Sequence, residues 1–474
     1  MRASVRLVGR VRVALVILAA ALMCAGGASA ASGWTDVTIT ASDATPLACA
    51  YIIPSGTAPT GGWPGVILFH GLGQSHTDME PYGSALAQLG FAALACDARG
   101  TGASGGKFGL EGPREVQDAR DLFNWFAARS DVSNTRIGAL GLSLGGGEVL
   151  NAAVAGVPFR AIVPAITWTN LGTALNPEGV PKTGLLELLS QAVPLSHWDP
   201  VLAQTAQTLL QGQVTPAVTG AEAARSSRSH LSSLTVPTLL LQGRHDFLFD
   251  MDQAIAAWKL LAGPKRLYLG DLGHAPAKNP PNEVAAYFTE VVVWFDNYLA
   301  AGSPAGIPGG VELAHDPWDG TTMKYKKLPK TRAASVNLPG RTKLTGARFA
   351  TRSARLTGGP HETFGDGFVT VHYSGAKEWT HLVATVSVKG AKAPVTEGAA
   401  PIKSSSGVVR IRLMDEAVLL PRGKKLVVKL GAVSADNLYH VGVPTYANSA
   451  PPGASIKVGS ATLKLSFLKH TVSW

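Results

Sequence analysis

The stretch RIGALGLSLGGGEV, residues 136–149, sets one serine between glycines where an apolar run gives way to a helical pattern. Within it Gly141-Leu142-Ser143-Leu144-Gly145 fits G-x-S-x-G, and the pattern predicts a strand before the serine and a helix after it. A turn that sharp has no room for neighbouring side chains, hence the glycines, and it lifts the serine oxygen above the sheet. Amides at the helix start, with the helix dipole, can then hold negative charge on a reacting carbonyl oxygen. Three consecutive glycines otherwise weaken a helix by about 1 kcal/mol each, so something besides helix formation requires them. The rival reading is a plain Gly/Ser turn.

A serine hydroxyl needs a base to take its proton and a third group to orient that base. LLLQGRHDFLFD, residues 239–250, places Asp246 just past an apolar strand, with His245 and Asp250 as rivals. Asp250 lies about a helical turn further on and suits a helix cap. RLYLGDLGHAPAKN, residues 266–279, then supplies His274 in a loop after the last strand. The order Ser143, Asp246, His274 is that of an α/β-hydrolase, with His274 as base and Asp246 fixing its tautomer. Two donors for an oxyanion are expected: the amide of Leu144 and that of Leu72, in HGLGQS after the VILF strand. A simple tight turn would also explain His70-Gly71.

Around these residues, apolar runs (VILF, FAALACD, IGALGLS, AIVPAI, PTLLLQG, KRLYLG) alternate with helical patterns (YGSALAQLG, EVQDARDLFNWFAA, GGEVLNAAVAG, AAYFTEVVVWFDNYLA). That alternation predicts an α/β unit over residues 31–301, a mostly parallel sheet with helices on both faces. WTDVTIT and PLACAYII read as an antiparallel lead-in. Residues 167–234 break the pattern and read as a lid insertion. AGSPAGIPGG, residues 301–310, reads as a linker, and residues 311–474 as an all-β sandwich. The glycine-rich DARGTGASGG at 97–106 lacks the lysine and spacing of a phosphate loop and fits a tight loop at the rim of the site.

Residues 1–30 read as a secretory signal: Arg2, Arg6, Arg10 and Arg12, the apolar VALVILAAALM, then Ala28-Ser29-Ala30. Its apolar core is far short of the roughly 20 residues of a membrane-spanning helix, so an exported protein that does not span the membrane is expected. Met23 before Cys24 argues against a lipidation site. In the mature chain Cys49 and Cys96 either pair in an oxidising compartment or stand as separate buried thiols. Residues 31–304 carry 15 basic and 22 acidic residues, net −7, whereas residues 305–474 carry 23 and 10, net +13. An anionic envelope polymer is the expected partner of that basic half, against the plainer reading of a solubilising surface. No nucleic-acid motif and no His/Cys cluster of metal-ligand spacing is visible, so no nucleic acid, metal or cofactor is expected.

On HGLGQS, DARGTGASGG, GLSLGG, QGRHDFLF and LGDLGH, residues 34–301 resemble the α/β-hydrolase superfamily. The β-rich second half and RSHLSSLTVPTLLLQGRHDFLF make the chain similar to the X-Pro dipeptidyl-peptidase and cocaine-esterase-like group. That resemblance implies a serine exopeptidase, acylase or esterase whose C-terminal jelly roll packs beside the active site. Many relatives carry an aromatic residue after the serine and a tyrosine as oxyanion donor. Here those places hold Leu144 and Leu72, which puts a tyrosine donor and proline specificity in question. An exopeptidase also needs carboxylates for the substrate's free amine, and the insertion offers Glu178, Glu187, Asp199 and Glu222. The expected substrate is a small acyl or peptide compound, with peptidase and carboxylesterase activity as close rivals. The apolar LLELLSQAVPL favours an apolar acyl group or simply packs as helix. A reading of another class makes the basic half an envelope-binding module beside an inert hydrolase unit.

Overall fold

The computed structural model describes residues 33–300, 309–355, 359–435 and 443–469. The expected signal segment, Cys24 and residues 301–308 of the expected linker lie outside the described residues.

The first unit is built on a ten-stranded sheet. β1 (Thr35–Thr40) and β2 (Pro46–Ile52) form the antiparallel lead-in. β3 (Trp63–Phe69), β4 (Ala92–Cys96), β5 (Val132–Leu142), β6 (Ile162–Ala165), β7 (Thr238–Gly243) and β8 (Lys265–Gly270) then run parallel, in the order β4-β3-β5-β6-β7-β8. Every residue of β4 and β7 is buried, as befits parallel strands covered on both faces. Helices α1 (Glu80–Gln88), α2 (Pro113–Ala127) and α3 (Leu144–Val154) follow β3, β4 and β5. Between β6 and β7 the chain makes α4 (Leu171–Leu175), α5 (Thr183–Ala192), α6 (Pro200–Leu210) and α7 (Pro216–Ala223). α8 (Met251–Leu260) follows β7 and α9 (Pro281–Phe295) follows β8. Ala119, Leu122, Phe123 and Phe126 of α2, at helical spacing, are buried against one sheet face, with residues of α3 and α8. Leu86 of α1 and Val284, Tyr287 and Val291 of α9 cover the other.

The sheet does not end at the Pro/Gly-rich stretch. β9 (Gly310–Ala314) joins β8 in parallel, Val311 opposite Leu267, and β10 (Thr322–Tyr325) folds back antiparallel on β9. The expected start of the sandwich at residue 311 is therefore corrected to a point beyond Tyr325. Val311 and Leu313 are buried in the first unit's core, and a short strand after prolines and glycines carries no local sign of which sheet it joins.

The second unit is all-β: β11 (Thr331–Leu338), β12 (Thr342–Thr345), β13 (Ala350–Arg355), β14 (His361–Lys377), β15 (His381–Val388), β16 (Thr396–Pro401), β17 (Gly407–Leu413), β18 (Leu419–Leu420), β19 (Lys425–Gly431) and β20 (Ser455–Leu468). One antiparallel sheet runs β11-β20-β14-β17, with β12 on β20 and β18 on β14, and the other runs β13-β19-β15-β16. Val369 and Leu463 of the first meet Leu382 and Val428 of the second in a shared core. In β20 the exposed Lys457 and Lys464 are each flanked by buried apolar neighbours, the period-two pattern of a strand with one wet face.

Cys49 on β2 and Cys96 on β4 face each other in register and form a disulfide, which resolves that pair of readings. Among the described residues, no helix is long and apolar enough to cross a membrane.

Candidate active site

The serine turn is made by close backbone approach. Ser143 sits between β5 and α3 at φ 54°, ψ −109°, a conformation that costs a non-glycine residue about 1–3 kcal/mol. A Cβ on Gly141 would overlap the Gly145 carbonyl, and one on Gly145 would overlap the backbone of Phe69 at the end of β3. Gly146 and Gly147 lie against Thr167 and the Trp168 ring just as tightly. Hence the glycine run: the helix start is pressed onto two strand ends, which a side chain would hold apart. Bonds from Ser143 N to Ala165 O (2.9 Å), Gly145 N to His70 O (3.0 Å) and Thr167 Oγ1 to Ser143 O (2.7 Å) fix the turn.

The structure brings Ser143, His274 and Asp246 together. Ser143 Oγ lies 2.9 Å from His274 Nε2, and His274 Nδ1 lies 2.8 Å from Asp246 Oδ2. An ionised carboxylate only accepts, so Nδ1 carries the ring proton and Nε2 is left to accept from the serine. Asp246 is fully buried, and its oxygens also take the amides of His274, Leu248 and Phe249 at 2.9, 2.9 and 3.0 Å. The ring of Phe249 meets the His274 ring edge-on at 5.2 Å between centroids.

The rivals are placed elsewhere. His245 is held at 3.0 Å to the Pro394 carbonyl, and burial pushes it down to about 4. Asp250 does stand at the N-cap position of α8, but its side chain makes no cap bond there; it accepts the amide of Asp415 from the second unit at 3.1 Å.

Leu144 is the first residue of α3, where no intrahelical acceptor exists for its amide. Among the described residues neither the Leu144 nor the Leu72 amide has an acceptor in the protein. The Leu72 loop is pinned by His70, whose Nε2 accepts from Ala98 N (2.9 Å) while Nδ1 donates to Gly71 O (2.8 Å). Burial lowers the His70 pKa, which keeps this bridge neutral. Gln74 completes the loop by accepting the Gly71 amide at 2.8 Å.

The four insertion carboxylates separate. Glu178, Glu187 and Asp199 are exposed, and Asp199 caps α6 through the amides of Val201 and Leu202. Glu222 is buried, bonded to Asn176, and pushed up to about 7 by burial.

Sequence reasoning missed the residues that hold the Asp246 loop. Arg244 makes a buried ion pair with Glu362 and bonds the carbonyls of Ala417 and Ala314, while Ala417 N donates back to Arg244 O at 2.8 Å. Lys182 of the insertion, itself buried, donates to the carbonyls of Phe247 (2.7 Å) and Leu248 (3.1 Å). Adjacency to the acid was a signal for Arg244; nothing in the sequence marked Glu362 or Lys182 as its neighbours. Beneath the elbow, Glu148 of α3 meets Glu111 and Glu115 in a buried cluster. Burial pushes Glu148 up to about 8 and Glu115 up to about 7, and raises Glu111 still more clearly with the charge of Glu148 beside it. Among the described residues, no group of His, Cys, Asp or Glu is placed to hold a metal ion.

Residues 43–276 match the family model described as X-Pro dipeptidyl-peptidase (S15 family). A CocE/NonD family hydrolase from Staphylococcus aureus shares the fold at TM-score 0.69 and 14% identity, over 93% of this chain and 98% of its own. An alpha-amino acid ester hydrolase aligns at TM-score 0.65 and 14% identity over 93% and 98%. Among curated sequences, an uncharacterized 31.7 kDa protein of Escherichia coli is 31% identical over 126 residues, 26% of this chain. The match spans less than half, 43%, of that relative's length. The fold carries through both units of the chain, and with the family match over residues 43–276 the chain has an α/β-hydrolase-like fold and resembles the X-Pro dipeptidyl-peptidase and cocaine-esterase-like hydrolases.

Proposed function

We propose that the chain is an exported serine hydrolase that cleaves a carboxylic ester or an amide through an acyl-enzyme. The observation that carries this reading is the line of hydrogen bonds from Ser143 Oγ through His274 to Asp246. In it His274 Nε2 takes the Ser143 proton as Oγ bonds to the substrate carbonyl carbon. The amides of Leu72 and Leu144 receive the charge on the carbonyl oxygen. The imidazolium, stabilised by Asp246, returns its proton to the departing alcohol or amine, and a water activated by the same nitrogen releases the acid. The family match over residues 43–276 favours a peptide substrate, and the leucine-rich insertion favours an ester.

The test is labelling with a fluorophosphonate, followed by turnover of Ala-Pro-p-nitroanilide and p-nitrophenyl butyrate. Labelling and turnover are expected to vanish in Ser143→Ala; labelling that persists places the nucleophile elsewhere. Release from the anilide marks an exopeptidase, and release from the ester alone an esterase. Export rests on residues 1–30, and a mature N-terminus at Ala31 in the secreted fraction is its check.

Binding of an anionic envelope polymer by the second unit is a further part of this reading. Lys343 and Lys457, both exposed, stand directly opposite each other across β12 and β20. Like charges so placed repel, and a bound polyanion relieves them. Salt-sensitive retention on anionic cell-wall polymer is expected, weakened in Lys343→Ser; no retention at low salt removes this role.

A further inference from the structure

Between α5, α6 and α7 the insertion leaves an apolar cavity of about 80 Å³. Its walls are largely leucine, and the polar side chains on them are those of Ser190, Thr205 and Glu222. Glu222 is tied to Asn176 and, pushed up to about 7, is uncharged below that pH. Leu72, whose amide is the second expected oxyanion donor, also lines this cavity. The apolar cluster around it is continuous with Leu144, the residue after the serine, and with Phe249, whose ring meets His274 edge-on.

We propose that this cavity receives the acyl chain of the substrate, and that the substrate class is the ester of a linear aliphatic acid. This rests on the serine-hydrolase reading above. On this proposal the chain runs from Ser143 past Leu72, which lines the cavity, to the insertion leucines. An apolar cavity takes an uncharged chain without leaving a buried charge unpaired. Each methylene that enters it adds binding realised in the transition state, up to about fourfold in kcat/KM, until the space is filled.

The experiment measures kcat/KM of the full chain on p-nitrophenyl acetate, butyrate, hexanoate and octanoate, beside Ala206→Trp, which fills the cavity from α6. A steady rise from acetate, totalling at least about a hundredfold, is expected in the native chain. Ala206→Trp is expected to lose the octanoate rate by more than about tenfold while the acetate rate stays within about twofold. A flat chain-length profile overturns the proposal whether or not the variant folds, as does a native optimum at acetate. An equal loss on all four esters by a variant that still labels with fluorophosphonate at the native rate overturns it too. These outcomes leave the hydrolase reading standing provided turnover depends on Ser143. No Ser143-dependent turnover or labelling at all fails that reading, and this proposal with it.

Discussion

The Ser143 turn and the Asp246 loop stand at the same end of one sheet, yet they are held in different ways. The turn is fixed by its own backbone: a positive φ at Ser143 and glycines pressed on Phe69, Ala165, Thr167 and Trp168. The acid loop is fixed from outside. Its carbonyls are bound by Lys182 of the insertion, Arg244 is bound by Glu362 and Ala417, and the start of α8 is bound by Asp415. The serine's geometry is thus a steric property of the first unit's own strands, whereas the acid's also depends on contacts between units. Damage to the second unit should therefore reach the chemistry through Asp246, leaving the serine turn intact.

The largest expected effect is that of Asp246→Asn, whose oxygen can keep the Leu248 and Phe249 amides while its NH2, a donor only, replaces the oxygen that accepts from Nδ1. A fall of about 10⁴ in kcat with unchanged fold is predicted by steady-state kinetics and circular dichroism. Gly145→Ala strikes the other device. Its methyl meets the Phe69 backbone, which cannot give way, and a turn displaced by an ångström should cost about 10²-fold in kcat. Glu362→Ala tests the comparison most directly, because no active-site residue is touched. It leaves Arg244 buried without its counter-charge, a loss of about 3–5 kcal/mol in denaturant unfolding, and a fall in kcat of about tenfold is expected through the loop. Lost stability with unchanged kcat would reduce the second unit to a passive scaffold.

Smaller effects lie away from both devices. Cys49→Ser with Cys96→Ser opens a cross-link spanning 47 residues and should cost up to about 4 kcal/mol with turnover at 25 °C unchanged. The buried carboxyls beneath the elbow predict a pH dependence. Glu148 and Glu115 titrate higher in the folded chain than in the unfolded one, so the unfolded state binds fewer protons between about pH 4.5 and 8. Their contribution is complete below pH 4.5 and is lost as pH rises through about 7 and 8. Thermal unfolding should thus fall by several degrees from pH 6 to pH 9, and Glu148→Gln should flatten that slope. A melting temperature that rises over this range would show the cluster to be ionised in the fold.

The elbow was legible because the serine and the glycines that its close contacts demand lie within seven residues, Gly141 to Gly147, although the strands they press on are distant in sequence. Asp246 and His274 were legible because strand ends are marked by where apolar runs stop, and parallel strands bring their ends to one side. The helices on the sheet were readable from their period, as in α2. The boundary near residue 311 was not, since β9 is five residues long and which sheet it joins is decided by the edge β8 leaves open. The same holds for Arg244 with Glu362, 118 positions apart, and for the disulfide, where register alone sets Cys49 opposite Cys96. By itself, then, the sequence marked the candidate residues and the local turns that present them, because sterics and periodicity act over a few residues. Only the tertiary structure decided what holds the acid loop and where the insertion leaves space, because burial and charge pairing join residues that the chain keeps far apart.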